Sequence, residues 1–286
     1  GIKPTAGAVK FELRPGCTME IKDKALDVNS VNARFTIGAG ARLLFNANGA
    51  KWKNFFSFCG DGTIVCGASN VLCNGVAMCL ASTNSVTVLD LDGHNQWPGS
   101  VLYHQTDSLN GSDNATRDSV GYGIVTSATP ATISMSYGAT RINALKYTGK
   151  ASLTRNGSGT YTLVNKYSDT AGTLTVGSGE VKFDWGAGWG GDIAVSGTGK
   201  VTFAAKCPEN DNGTATGSAT VSGTGKLVVA SGVRYCCAKL RLGTTDIPRG
   251  YYTAAQLNAL SSGSWIDGAG KICVGNAKPG FVVILK

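Results

Sequence analysis

The chain has 286 residues, 40 of them glycine, with 42% hydrophobic and 15% charged side chains; this apolar share excludes general disorder, and glycine with many Thr, Ser, Val and Asn favours strands and tight turns over helices. A formal charge of +8, from 26 basic and 18 acidic side chains, admits an anionic partner, but there is no dense basic run or basic helix face, which excludes the usual nucleic-acid modules. No stretch approaches the roughly 20 apolar residues of a membrane-crossing helix, and the opening GIKPTAGAVK has no apolar signal core, so a secreted form is expected to have its signal removed or placed upstream.

In chain order, one phrase keeps returning: a glycine-containing turn followed by a short alternating strand. It reads GAGARLLF at 38–45, GDGTIV at 60–65, GSGEVKF at 177–183, GTGKVTF at 197–203, GTGKLVV at 223–229 and GAGKICV at 268–274. A recurring turn and strand describe one repeated unit. Lys51 and Lys53 flank Trp52, a pairing common on solvated surfaces. Nine cysteines form no CxxC pair, which leaves little support for a zinc knuckle or a redox dithiol. Cys59, Cys66, Cys73 and Cys79 fall six or seven residues apart, where they can face one another across successive strands. With the adjacent Cys236 and Cys237 they are candidates for the disulfides of an extracellular protein; small buried hydrophobes are the other reading.

In DLDGHN, an extended backbone would put Asp90, Asp92 and His94 on one face. Asp90 and Asp92 are the candidate metal ligands, or a carboxylate pair for glycan hydrolysis; a structural strand and turn with Leu89 and Leu91 inward competes with both. His104, Asp107, Asp113 and Asp118 read as a solvated loop, and Arg117 and Arg155 are available as substrate clamps. The segment DWGAGWGGD offers Trp185 and Trp189 as a platform for sugar rings, with Asp184 and Asp192 beside them as hydroxyl acceptors; tryptophans covering a coil edge are the alternative.

The copies of the phrase at 177, 197 and 223 lie 20 and 26 residues apart. Val181 and Phe183, Val201 and Phe203, Leu227 and Val229 repeat one inward pattern, while Lys200 and Lys226 take the same solvent-facing place. The period suits a coil of a parallel β-helix; an antiparallel β-sandwich competes, because the same dipeptides start hairpins. Towards the C-terminus, residues 243–253 read as a rim loop or hairpin. Residues 253–263 read as a short helix capped by Thr253 with Gln256, its apolar stripe being Leu257 and Leu260. Tyr251, Tyr252 and Trp265 are placed near the end of the stack.

The wording of the middle of the chain resembles the autotransporter-associated β-strand repeat proteins of bacteria. The resemblance rests on VLDLDGHNQWPGSV at 88–101, GIVTSATPATISM at 123–135 and the segment 149–183, with its Gly157-Ser158-Gly159-Thr160 turn, Leu163, Tyr167, Thr173, Val176 and Gly177. It covers residues 86–229, about half of the chain; Asp92 stands where the family usually has asparagine, and the cysteine content is high. The resemblance implies a right-handed parallel β-helix in a secreted or surface-attached protein.

The expected fold is therefore all-β, a right-handed parallel β-helix with minor helical or hairpin cover near the C-terminus. Residues 1–85 are expected as N-terminal coils or a cap, 86–235 as the family-like helix, and 236–286 as C-terminal coils or a cap. The expected function is non-enzymatic: a rigid secreted or cell-surface rod for adhesion or extracellular assembly. The alternatives are a glycan-binding module of a larger carbohydrate-active protein and a polysaccharide hydrolase or lyase. No HExxH, GxSxG, P-loop or dinucleotide fingerprint is present. No catalytic residue and no cofactor is assigned. Itself, through helix ends or edges, and extracellular polysaccharide are the partners expected, with no nucleic acid.

Overall fold

The computed structural model describes residues 8–22, 32–46, 56–72, 78–82, 85–97, 102–105, 121–136, 138, 140–164, 167–207 and 217–275. They form an all-β, mostly parallel, right-handed solenoid with one short helix near the C-terminus. The principal ladder runs Thr18–Lys22, Arg42–Asn46, Thr63–Cys66, Val86–Asp90, Tyr122–Met135, Leu145–Val164, Leu174–Asp184, Ile193–Val195, Ser218–Val221 and Lys239–Leu242, parallel at every step. A second parallel ladder, Ala8–Leu13, Asn32–Ile37, Phe56–Cys59, Met78–Ser82 and Leu102–Gln105, forms another face of the N-terminal coils. These registers exclude the antiparallel sandwich.

The recurring phrases stack on one another. Val181 pairs with Val201 and Val201 with Leu227, while Phe183 pairs with Phe203 and Phe203 with Val229; all six side chains are buried. A strand with one inward side chain in two cannot cover that face alone, and the next coil covers it at the strand spacing of about 4.8 Å. One hydrophobic core thus runs from Leu13 to Val274. Aromatic side chains continue the stacking inside it. Phe11, Phe35 and Phe58 lie with centroids 4.7 and 5.3 Å apart, and Phe183, Phe203 and Tyr235 at 5.1 and 4.2 Å.

Glycine serves two separate purposes. Gly197 and Gly223, the first glycines of their phrases, have φ of 52° and 62°, the left-handed region that costs other residues energy. Gly172, Gly191 and Gly217 form a column in which a Cβ on each would overlap the carbonyl oxygen of the coil before it, belonging to Ala151, Gly172 and Gly191 in turn.

In the middle of the solenoid, strands turn the corner between faces without stopping. Leu145–Val164 pairs through residues 145–155 with Tyr122–Met135 and through residues 153–164 with Leu174–Asp184, and its register with the latter shifts at Arg155, Asn156 and Thr160, where the strand bends.

Strand direction changes at the C-terminal end. Thr245–Ile247 returns antiparallel along Lys239–Leu242, the hairpin expected there, and Gly250–Thr253 runs antiparallel to Lys271–Val274. The helix Ala254–Ser261 carries the expected capping box of Thr253 and Gln256. Its apolar stripe is narrower than expected: Leu257 is buried, but Leu260 is 51% exposed. Asn258 does more than shape the helix. Its Nδ2 donates to the Ile266 carbonyl (2.8 Å) and its Oδ1 accepts from the Ile266 N–H (3.0 Å), so one side-chain amide takes the place of a further strand. Asn258→Ala is expected to lower the unfolding free energy by about 2 kcal/mol, since it strands a donor and an acceptor. Asn258→Asp, which keeps only the acceptor, should recover about half of that; equal denaturation midpoints for wild type and Asn258→Ala would refute the cap.

Candidate functional site

The acidic phrase after Val86–Asp90 is a turn. Asp90 Oδ1 accepts from the Asp92 N–H (3.0 Å), Asp92 takes a φ of 47° and Gly93 one of 80°, and the His94 N–H returns to the Leu91 carbonyl (2.7 Å). The extended face expected for Asp90, Asp92 and His94 does not exist, because the strand ends at Asp90. Asp tolerates the left-handed region better than most residues, which accounts for Asp92 there. Leu89 and Leu91 are buried, as the structural reading requires. Among the described residues no group of three or more His, Cys, Asp or Glu is arranged to hold a metal ion.

The two tryptophans separate. Trp189 is 2% exposed, packs on Tyr147 with centroids 5.2 Å apart and donates Nε1–H to the Gly172 carbonyl (3.1 Å); it belongs to the core and is closed to a sugar ring. The reason is non-local: Gly188–Trp189 pairs with Tyr167–Ser168 of the preceding coil and turns the indole inward. Trp185 sits at a φ of 50° in the outer turn, half-buried against Ala144 and Val164. Asp184 accepts from the Trp185 N–H (3.0 Å) and pairs with Lys182 (2.9 Å), and Asp192 accepts from the Ser218 N–H (2.7 Å) of the next coil. The four residues are not one platform.

Cys59 and Cys66 are buried thiols on different ladders, Cys59 in register with Thr36 and Cys66 with Phe45. Burial, with the Asp90 and Asp92 carboxylates nearby, pushes the Cys66 thiol well up, and burial does the same at Cys237. Both are therefore protonated and poor nucleophiles. Cys73 lies outside the described residues, and Cys79 is described only by its backbone place opposite Ser57. Cys236 stands directly opposite Cys273, with Tyr251 next in the same row.

Glu180 is the hub of the exposed polar face. Its carboxylate accepts from Thr202 (2.6 Å) and Thr160 (2.9 Å) and pairs with Lys200 (3.2 Å), joining three successive coils. Burial pushes its pKa up, but these hydrogen bonds and Lys200 outweigh that and leave it below its ordinary value. A depressed folded-state pKa gives stability that is complete above the unfolded value, about 4.3, and is lost as pH falls through the lower folded value. Glu180→Gln is thus expected to be less stable than wild type at neutral pH, and the gap to close in acid. A gap that stays constant from pH 7 to pH 3 would show that the carboxylate contributes nothing by ionisation.

Sequence reasoning missed the buried Gln96 and placed Arg155 on the wrong side of the wall. Gln96, 1% exposed, donates to the Ala68 carbonyl (2.8 Å) and accepts from the N–H groups of Val71 (3.0 Å) and Leu72 (3.3 Å), tying one coil to the one before. Arg155, expected as a clamp for substrate, is 2% exposed and points into the solenoid, unable to reach a substrate outside it. Its parity with Ala151 and Leu153 was the available signal. His104 is described only as part of the backbone of Leu102–Gln105, and Lys51, Trp52, Lys53, Asp107, Asp113, Arg117 and Asp118 lie outside the described residues.

Comparison with protein-family models, with curated proteins and with solved structures returns no match. The solenoid is consistent with an autotransporter passenger domain and is not specific to one.

Proposed function

We propose that this chain is a rigid scaffold of a secreted or cell-surface protein, of the kind its repeat wording resembles, working as a rod in adhesion or extracellular assembly. The observation that carries this reading is the main core from Leu13 to Val274, continued coil by coil in register. Stacked coils of this kind resist bending, because each is bonded to its neighbours along its whole length. No helix among the described residues is long and apolar enough to cross a membrane. Brief proteolysis of intact cells of the native source, followed by mass spectrometry, tests the location. Release of peptides from this chain supports the reading; recovery only after lysis sinks it.

An extracellular scaffold in oxidising surroundings would join Cys236 to Cys273. In-register neighbours on parallel strands lie about 4.8 Å apart at Cα and point the same way, within the range a disulfide spans. The two thiols would give two protons and two electrons to a small-molecule disulfide, which leaves as two thiols. The bond would enclose the hairpin and the helix Ala254–Ser261, adding about 4 kcal/mol. Non-reducing peptide mapping of native material is expected to recover residues 234–237 linked to 271–274; complete alkylation of both cysteines in unfolded, unreduced protein would rule the bond out.

A further inference from the structure

The bend of Leu145–Val164 places a cation inside the solenoid. Arg155 Nη2 donates to the Ser158 carbonyl (2.6 Å), across the corner. Among the described residues its Nε and Nη1 meet no hydrogen-bond acceptor, and the Tyr147 hydroxyl, beside that of Tyr161, donates to none. Tyr147 and Tyr161 are both 0% exposed. The Tyr161 hydroxyl lies near Arg155 and beside that of Tyr147, close enough to influence both.

An isolated charge taken out of water is strongly destabilising even after relaxation, so a buried guanidinium calls for a counter-charge. No carboxylate among the described residues supplies it. Glu180, in register with Thr160, is held on the outer face by Thr160, Thr202 and Lys200. The phenols do not supply it either, because burial pushes both tyrosines up and keeps them neutral. What remains is a set of N–H and O–H donors around one positive charge. Water would bring two hydrogens needing acceptors, for which the phenol oxygens and the Ser158 carbonyl, which already accepts from Arg155, are the candidates, and it would leave the charge uncompensated. A small anion accepts from every member and neutralises the charge.

We propose that the interior at this corner holds one monovalent anion of the halide class, accepting hydrogen bonds from Arg155 Nε and Nη1 and from the Tyr147 hydroxyl. The anion would be a structural ligand, locking the bend at which Leu145–Val164 passes from one face to the next.

Two measurements test this on the full chain. Crystals grown in bromide instead of chloride should show an anomalous peak in hydrogen-bonding contact with Arg155. Denaturation at fixed ionic strength, with chloride exchanged for gluconate, should show wild type more stable in chloride, the unfolding equilibrium shifting about tenfold per tenfold in chloride once the site is filled. Arg155→Met should lose that dependence. If Arg155→Met does not fold, Arg155→Lys, which keeps the charge but loses the fork, should show a weakened dependence. A bromide map with no peak at Arg155, or with water in its place, overturns the proposal, as does equal wild-type stability in the two anions.

Discussion

Gly191→Ala is expected to lower the unfolding free energy by about 3 kcal/mol, whereas Gly232→Ala, the same change in composition, should cost about 1 kcal/mol. Gly232 has a φ of 74° with nothing within 4 Å of an added Cβ, so alanine there meets only a conformational penalty. Gly191 carries no such φ; its added methyl would overlap the Gly172 carbonyl oxygen, which belongs to the backbone of the coil before and cannot swing aside as a side chain can. Relief requires the two coils to separate locally, and Gly217 sits on Gly191 in the same way, so displacement in one direction compresses the next contact. Urea denaturation of both variants checks this. Equal losses would mean that close approach of coils is not what selects glycine in this column.

Phe203→Ala is the second large effect, expected at about 4 kcal/mol. The ring is 1% exposed and lies between Phe183, at 5.1 Å, and Tyr235, at 4.2 Å, so its loss opens a cavity lined on both sides by large rings that the ladder holds in register. Leu260→Ala removes an apolar side chain of the neighbouring cap that is already 51% exposed and should change stability by less than about 0.5 kcal/mol. The pair separates burial in the stack from hydrophobicity as such, and a Phe203→Ala loss below about 1 kcal/mol would show that the stacked rings are not a principal source of stability.

Local wording made the coil legible. The phrases at 177, 197 and 223 repeat turn and strand together, and the structure places their Val, Phe and Leu side chains one upon another. The helix at Thr253 was equally readable, because a capping box lies within four residues. Contacts between coils were not legible, because the partner lies some twenty residues away. Trp189 looks like a platform residue in its own segment and becomes core only through its pairing with Tyr167–Ser168. Gly172, Gly191 and Gly217 belong to no repeated phrase; what they share is the backbone behind them. The Asp90 and Asp92 face failed for a different reason: parity holds only while a strand continues, and Asp92 is already in the turn.

The two described ends of the solenoid are unlike, and this gives the proposed assembly a geometry to test. At the C-terminal end the Ile266 backbone is bonded by Asn258, while among the described residues Ala8–Leu13 and Thr18–Lys22 are paired on one side only. A head-to-tail contact would have to use Thr245–Ile247, which among the described residues is also paired on one side only but runs antiparallel to the coils. Two copies meeting through their like ends would be related by a two-fold axis, and that contact uses up both open edges at once. Association through the N-terminal edges alone would therefore close at a pair, which sedimentation would read as a dimer, whereas growth past a dimer would require the C-terminal edge as well.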